Sequence, residues 1–300
     1  MLLSLTCRKI YRLIQSSTFS YVQNTTKQLL NQGWVAELEL HFSRSSSKTF
    51  LSERKHIGPL TVQRPFYPED GVCHLYLLHP PGGIVGGDEL SVKVNSDPDS
   101  NALITTPGAT KIYRTIKDKF SIVKQDIVVE DGATLEWLPM ETIIFPGANS
   151  KFSTKFSLYG DARIAAWEVQ CLGRPVIDEK FDSGELKFSF ELWKNGIPVI
   201  IDRLKIDQTD LDNITGLRGF PVFGTFIISA KNDDILELVR NLIPKSESYV
   251  AGATQIDDFV IIRCLGLKTN LIQELFRNIW IELRHLVIGK EGIIPRIWLT

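Results

Sequence analysis

Residues 34–42 read Trp-Val-Ala-Glu-Leu-Glu-Leu-His-Phe, and in them Ala36, Leu38, Leu40 and Phe42 alternate with Glu37, Glu39 and His41. Successive side chains of an extended chain point to opposite faces, so this period of two predicts a strand with one buried side. The composition upstream differs: residues 1–33 hold no Asp or Glu, four Lys or Arg, and many Ser, Thr and Asn. They are expected to form a flexible N-terminal extension, with a transit-like peptide or a frayed helix as other readings of the same composition. Residues 34–300 are expected to form one β-rich domain.

Downstream the same rhythm recurs. Strand-length apolar or alternating segments cover 60–63, 74–78, 90–94, 102–105, 121–129, 134–138, 152–158, 162–170, 186–193, 197–206 and 259–265. Turn chemistry separates them: Asp70-Gly71, Pro80-Pro81-Gly82-Gly83, Pro107-Gly108, Asp131-Gly132, Pro146-Gly147 and the hairpin signal Asn195-Gly196. Gaps this short leave no room for helical crossovers, which argues against a doubly wound α/β sheet. A sandwich, a barrel or β-helix-like stacking all satisfy the pattern. Two helices are predicted near the end, over 233–242 and 270–286. In the second, Leu271, Leu275, Ile279 and Leu283 form a stripe, with Asn270 and Gln273 as a capping start and Gly289 as the stop. Phe276 and Trp280 beside that stripe are a candidate partner surface, with packing on the chain's own sheet as the plainer reading. No repeat of fixed period is visible.

The 300 residues carry 34 Lys or Arg against 35 Asp or Glu, which provides no basic footprint for nucleic acid. The four cysteines, at 7, 73, 171 and 264, form no CxxC pair, so neither a zinc knuckle nor a disulfide framework is readable. No run of about 18 apolar residues exists to span a bilayer. The first apolar residues are too soon interrupted by Arg8 and Lys9 for an ordinary signal sequence, and the expectation is a cytoplasmic protein with reduced thiols.

The run from His79 to Asp88, HPPGGIVGGD, has no Lys-Ser/Thr and no GxGxxG spacing, so it is read as tight turns and not as a phosphate loop. Cys73, His74 and His79 are metal ligands by type. On an extended segment, however, His74 and His79 face opposite sides, and Cys73 and His79 stand roughly 20 Å apart. One ion does not reach both. Carboxylates interrupt apolar strands at Glu136, Glu141, Glu168 and Asp202; Arg114, Arg163, Arg174 and Arg203 are available as salt-bridge partners, and a row of weak oxygen ligands is the sharper alternative. Nucleophile signatures such as GxSxG, HExxH and SxxK are absent. A carboxylate-pair carbohydrate enzyme and a plain β-rich interaction module stay open as alternatives.

GPLTVQRPFY at 58–67 and CHLYLLHPPGGIVGGDEL at 73–90 resemble the UreD family of urease accessory proteins, called UreH in some bacteria. The likeness continues in the family's order through TTPGATKIYR at 105–114, LEWLPMETIIFPGA at 135–148, Trp167-Glu168, LGRP at 172–175 and PRIWLT at 295–300. The resemblance implies a mainly β fold of β-helix-like stacked sheets with two C-terminal α-helices. It implies a non-catalytic scaffold that docks on apo-urease, with a helical F-type accessory protein and, through it, the G-type GTPase as partners. Nickel, weakly bound and in transit, would pass through an internal tunnel. Asp88, Glu168 and Asp202 match the family's acidic tunnel positions; Glu136, Glu141, His74, His79 and Cys73 are weaker candidates. Met140 stands where the family often has Gln, and the N-terminal extension looks longer than usual.

Overall fold

The computed structural model describes residues 33–116, 119–230 and 234–299. All but the last residue of the predicted N-terminal extension, and Asp233 at the predicted helix start, lie outside the described residues. Strands β1 (Val35–Ser45) and β2 (Lys48–Ile57) form a hairpin, followed by β3 (Thr61–Val62), β4 (Cys73–Leu78), β5 (Glu89–Ser96), β6 (Asn101–Thr105) and β7 (Thr110–Ile112). Then come β8 (Ser121–Val129), β9 (Thr134–Leu138), β10 (Thr142–Ile144), β11 (Ala148–Leu158), β12 (Arg163–Leu172), β13 (Gly184–Lys194) and β14 (Ile197–Asp207). The chain ends with β15 (Val222–Ser229), helix α1 (Asp234–Leu242), β16 (Tyr249–Ile256), β17 (Phe259–Gly266) and helix α2 (Thr269–Val287).

The strands build two facing sheets. The first has the order β14-β13-β11-β8-β5-β1-β2, and the path of the second is β16-β17-β15-β12-β9-β6-β4-β3. From β4 to β13 the chain alternates between them, so each pass lies parallel to the pass before: β5, β8, β11 and β13 in one sheet, β4, β6, β9 and β12 in the other. This is a solenoid of about 4 turns, and it meets the expectation of stacked, β-helix-like sheets. Parallel neighbours usually need a long crossover; here a whole coil supplies it. Short strands β7 and β10 make a narrow third side, where Ile84, Ile112, Ile144 and Leu172 stack in register, each at most 1% exposed.

Alternation decides which residues fill the solenoid. Leu38, Val92, Ile127, Phe156 and Phe190 of the first sheet face Leu75, Ile104, Trp137 and Ala166 of the second in one continuous core. The opposite face of the second sheet, including Trp167, Val169, Phe226 and Ile262, is covered by the helices and forms a second core. Gly224 lets α2 come close, since a Cβ there would lie 2.9 Å from the Phe276 ring.

Helix α2 begins one residue before its predicted start and differs at its cap. Lys268 is the N-cap, extended and without a side-chain cap bond, while Gln273 is buried with both amide atoms lacking a partner in the protein. Gly289, with φ +71°, ends it as expected. The buried stripe runs through Ile272, Leu275, Phe276, Ile279, Trp280 and Leu283. Phe276 and Trp280 are 0% and 1% exposed against the chain's own sheet, so they offer no partner surface.

Candidate functional site

The inner faces of the sheets are mainly apolar, and their polar side chains gather most closely around one level. In β8, Gln125 takes the inward position between Val123 and Ile127; in β11, Thr154 takes it between Phe152 and Phe156, directly beside Gln125. Opposite, Glu168 of β12 is 2% exposed, and its register partner in β15 is Thr225. Trp137 Nε1 donates to Glu168 Oε1 at 3.1 Å, and Thr154 Oγ1 lies 3.0 Å from the same oxygen and 2.7 Å from Gln125 Oε1. Burial raises the Glu168 carboxyl to about 7, the bonds from Trp137 and Thr154 offsetting only part of the cost.

The proton count explains how such an acid is held. Thr154 has one hydroxyl hydrogen and two oxygens to serve. With Glu168 protonated, its O–H donates to Thr154 and Thr154 donates to Gln125, so the single Thr154 hydrogen suffices. Ionised, Glu168 takes the Thr154 proton, and Gln125 must turn its NH2 toward the hydroxyl instead. Two residues along β12, both amide atoms of buried Gln170 make no hydrogen bond within the protein, and neither does Ser150 Oγ on the inner side of β11. Buried polar atoms of this kind take their partners from internal water or a cation.

Openings lie on either side of this level. Gln125 and Phe152 help line a cavity of about 230 Å³ that reaches His79 and the loop at Gly82. Thr225 helps line a wider one of about 760 Å³ at the open end of the sheets, rimmed by Asp202 and Arg263. Asp202 of β14 and Arg263 of β17 tie the two sheets together there, Arg263 donating to both Asp202 oxygens at 2.8–3.1 Å. Arg263 also sits beside Thr225 in the register of β15 and β17.

Asp88 is fastened to backbone. Its Oδ1 accepts from Trp34 N–H at 2.8 Å and its Oδ2 from Val85 N–H at 2.9 Å, closing the glycine-rich loop over the entry to β1. The loop needs glycine: Gly87 has φ +99°, and a Cβ on Gly33 would lie 2.0 Å from the Gly87 carbonyl carbon. Burial lowers His79, partly countered by the Asp88 charge.

The weaker candidates scatter. Glu136 and His74 lie on the opposite face of the second sheet, under α2. Arg284 Nη2 donates to Glu136 Oε2 at 2.7 Å and to Glu69 Oε1 at 2.6 Å; Trp280 Nε1 donates to Glu136 Oε1 at 2.6 Å, and His74 Nε2 lies 2.7 Å from Glu69 Oε1. Burial pushes Glu69 up, yet the bonds from His74 and Arg284 outweigh it and hold that carboxyl at about 2. The acid's partner is thus Arg284 and none of the four arginines expected; Arg174 pairs with Glu179, and Arg203 with Glu191. Cys73 is buried, which raises its thiol, with Tyr67 and the Leu51 backbone as partners. Glu141 is partly exposed on the chain between β9 and β10, where its carbonyl accepts from Thr110 N–H at 2.9 Å. Among the described residues no three His, Cys, Asp or Glu side chains converge on one point.

Comparison with known proteins adds to this geometry. The family model described as "UreD urease accessory protein" matches residues 35–299. A urease accessory protein UreD from Citrobacter koseri is 46% identical over 271 residues, covering 90% of this chain and 93% of that protein. One from Enterobacter is 45% identical over 279 residues, covering 93% and 100%, and one from Klebsiella aerogenes is 43% identical, covering 90% and 98%.

Proposed function

The chain belongs to the UreD family of urease accessory proteins, and on that footing we propose that it serves urease maturation as a metallochaperone scaffold through which nickel reaches the apo-enzyme. It would act in the cytoplasm, seated on apo-urease, and receive nickel from a G-type GTPase recruited through an F-type accessory protein. Nickel is cargo here. The chain performs no covalent step of its own, and GTP hydrolysis belongs to the partner.

The observation that carries this reading is the polar level around Glu168: an inward carboxyl raised to about 7, joined through Thr154 to Gln125, between two openings. Nickel stands high in the affinity order for nitrogen and oxygen donors, so a closed ligand set would trap it. A single carboxyl flanked by hydroxyls and amides binds a divalent cation weakly, with waters kept in its shell. A group near 7 gives up its proton as the cation arrives and takes it back as the cation leaves, which limits the charge buried at each step. Asp88 and Asp202 are spoken for by backbone amides and by Arg263, so in this reading they shape and guard the ends of the path.

The test is urease activity in cells that express urease and its other accessory proteins at fixed nickel, with the wild-type chain, without it, or with Glu168→Ala. Activity should require the chain, and Glu168→Ala should reduce it severalfold while the variant still co-purifies with its partners. Full activity without the chain rejects the accessory role. Full activity with Glu168→Ala rejects the path.

A further inference from the structure

On the solvent side of the first sheet, parallel register sets like charges side by side. Lys151 of β11 stands directly beside Lys187 of β13, and Lys187 beside Lys205 of β14. The next level of the same face runs Lys124, Ser153, Ser189, Arg203 across β8, β11, β13 and β14. Like charges directly opposite on neighbouring strands destabilise a sheet, and this face carries five cations in two adjacent levels. Glu185 serves Lys187 and Lys205, at 2.9 and 3.1 Å, and Glu191 serves Arg203 at 3.1 Å. Among the described residues, Lys124 and Lys151 have no carboxylate within ion-pair distance. The Phe120 ring lies 5.2 Å from Lys151 Nζ and 4.9 Å from Lys187 Nζ, a weak attraction that gathers the two ammonium groups without neutralising them. The face is a shallow basin of about 670 Å³, with Ile122 of β8 as the outward apolar residue among its cations.

We propose that this basin is a docking surface for an acidic, extended segment of a protein partner. Four strands at their usual spacing make it roughly 14 Å across, the reach of four or five extended residues. Carboxylates on such a segment would meet the two cation levels, and the Ser153 and Ser189 hydroxyls between them would meet its backbone. A nucleic-acid backbone fits less well: Asp126, one level beyond Lys124, and Glu185 and Glu191 border the basin, so a longer polyanion would run onto carboxylates. The proposal is independent of any passage of nickel through the interior.

The experiment uses the full chain and a fluorescein-labelled decapeptide of alternating Glu and Thr, followed by anisotropy at 50 and 300 mM NaCl, with duplex DNA and inorganic phosphate as competitors. The expected result is saturable peptide binding at 50 mM that weakens at least tenfold at 300 mM, as screening of exposed charges requires. Lys151→Glu with Lys187→Glu should weaken it at least tenfold at 50 mM, and Lys245→Glu with Lys268→Glu, on other surfaces, less than twofold. Should the reversed variant misfold by circular dichroism, Lys151→Gln with Lys187→Gln replaces it, and the same tenfold loss of peptide binding is required of it. The proposal is overturned by no saturable peptide binding, by a loss under tenfold in the basin variant, or by DNA or phosphate displacing the peptide at concentrations below the peptide's own.

Discussion

Thr154 Oγ1 lies 3.0 Å from Glu168 Oε1, so a strand of one sheet is hydrogen-bonded to a strand of the other through the middle of the solenoid. Any change in the charge of Glu168 is therefore felt by both sheets.

Glu168→Gln should reveal that charge in the pH dependence of stability. The native carboxyl titrates near 7 and an unfolded one near 4.5. Between those values the native state holds a proton that the unfolded state has released, so stability falls as pH rises from 4.5 to 7 and levels off above. The neutral variant lacks that fall and should be roughly 1–3 kcal/mol more stable than wild type at pH 8. Urea unfolding at pH 5, 6, 7 and 8 checks this, and parallel pH profiles for the two proteins would refute it.

Thr154→Val keeps shape and removes the hydroxyl, leaving the oxygens of Gln125 and Glu168 without their shared partner. The expected cost is about 1–3 kcal/mol, with severalfold slower urease activation at fixed nickel. Wild-type stability together with wild-type activation would show that the hydroxyl carries neither load.

Arg284→Met should be among the most damaging single changes, because it leaves Glu69 and Glu136 as buried, unbalanced carboxylates beneath α2. Loss of one partner of a buried pair costs about 3–5 kcal/mol. Acid should act on the same cluster. Glu69 is held near 2 against an ordinary 4.5, so its contribution is complete above 4.5 and disappears as pH falls toward 2. A wild-type unfolding series from pH 6 to 2 should show that loss, and Glu69→Gln should flatten it.

Asp202→Asn, by contrast, should change stability by less than about 1 kcal/mol, since its partner Arg263 is half exposed and such pairs are weak. Thermal melts of the variant and wild type decide the point. A large loss would mean that the pair holds the open end of the sheets shut.

Asp88→Ala removes two acceptors from backbone N–H groups of Trp34 and Val85 and should destabilise the chain by about 2 kcal/mol. Reduced urease activation in that variant should therefore track reduced abundance of folded protein, measured on the same cells. Reduced activation at unchanged abundance would give Asp88 a direct part in nickel movement.

Strand positions were legible because one face of each is buried, and alternation records that directly, as in Ala36 to Phe42. Strand partners were not. A parallel neighbour belongs to the next coil, and Ile84, Ile112, Ile144 and Leu172 recur at uneven intervals of roughly 30 residues, which hides the repeat. The candidate acids separate in the same way. Glu168 was visible as a carboxyl in an apolar strand, but its partners Thr154 and Trp137, and the pairing of Glu136 with Arg284 148 positions away, depend on coils and a helix folding over them. One available signal was missed: Gln125 and Thr154 are polar residues in the apolar phase of an alternating strand, and each marks where the core turns polar.

The parallel coils also begin and end with a reversal. In the first sheet β2 and β14 run antiparallel to β1 and β13, and in the second β3 and β15 run antiparallel to β4 and β12. A stack of parallel coils is an open-ended template, able in principle to recruit another copy of itself at either end. Turning these strands around interrupts the parallel repeat at both ends, so a further coil of the same kind would not find a neighbour running in its own direction.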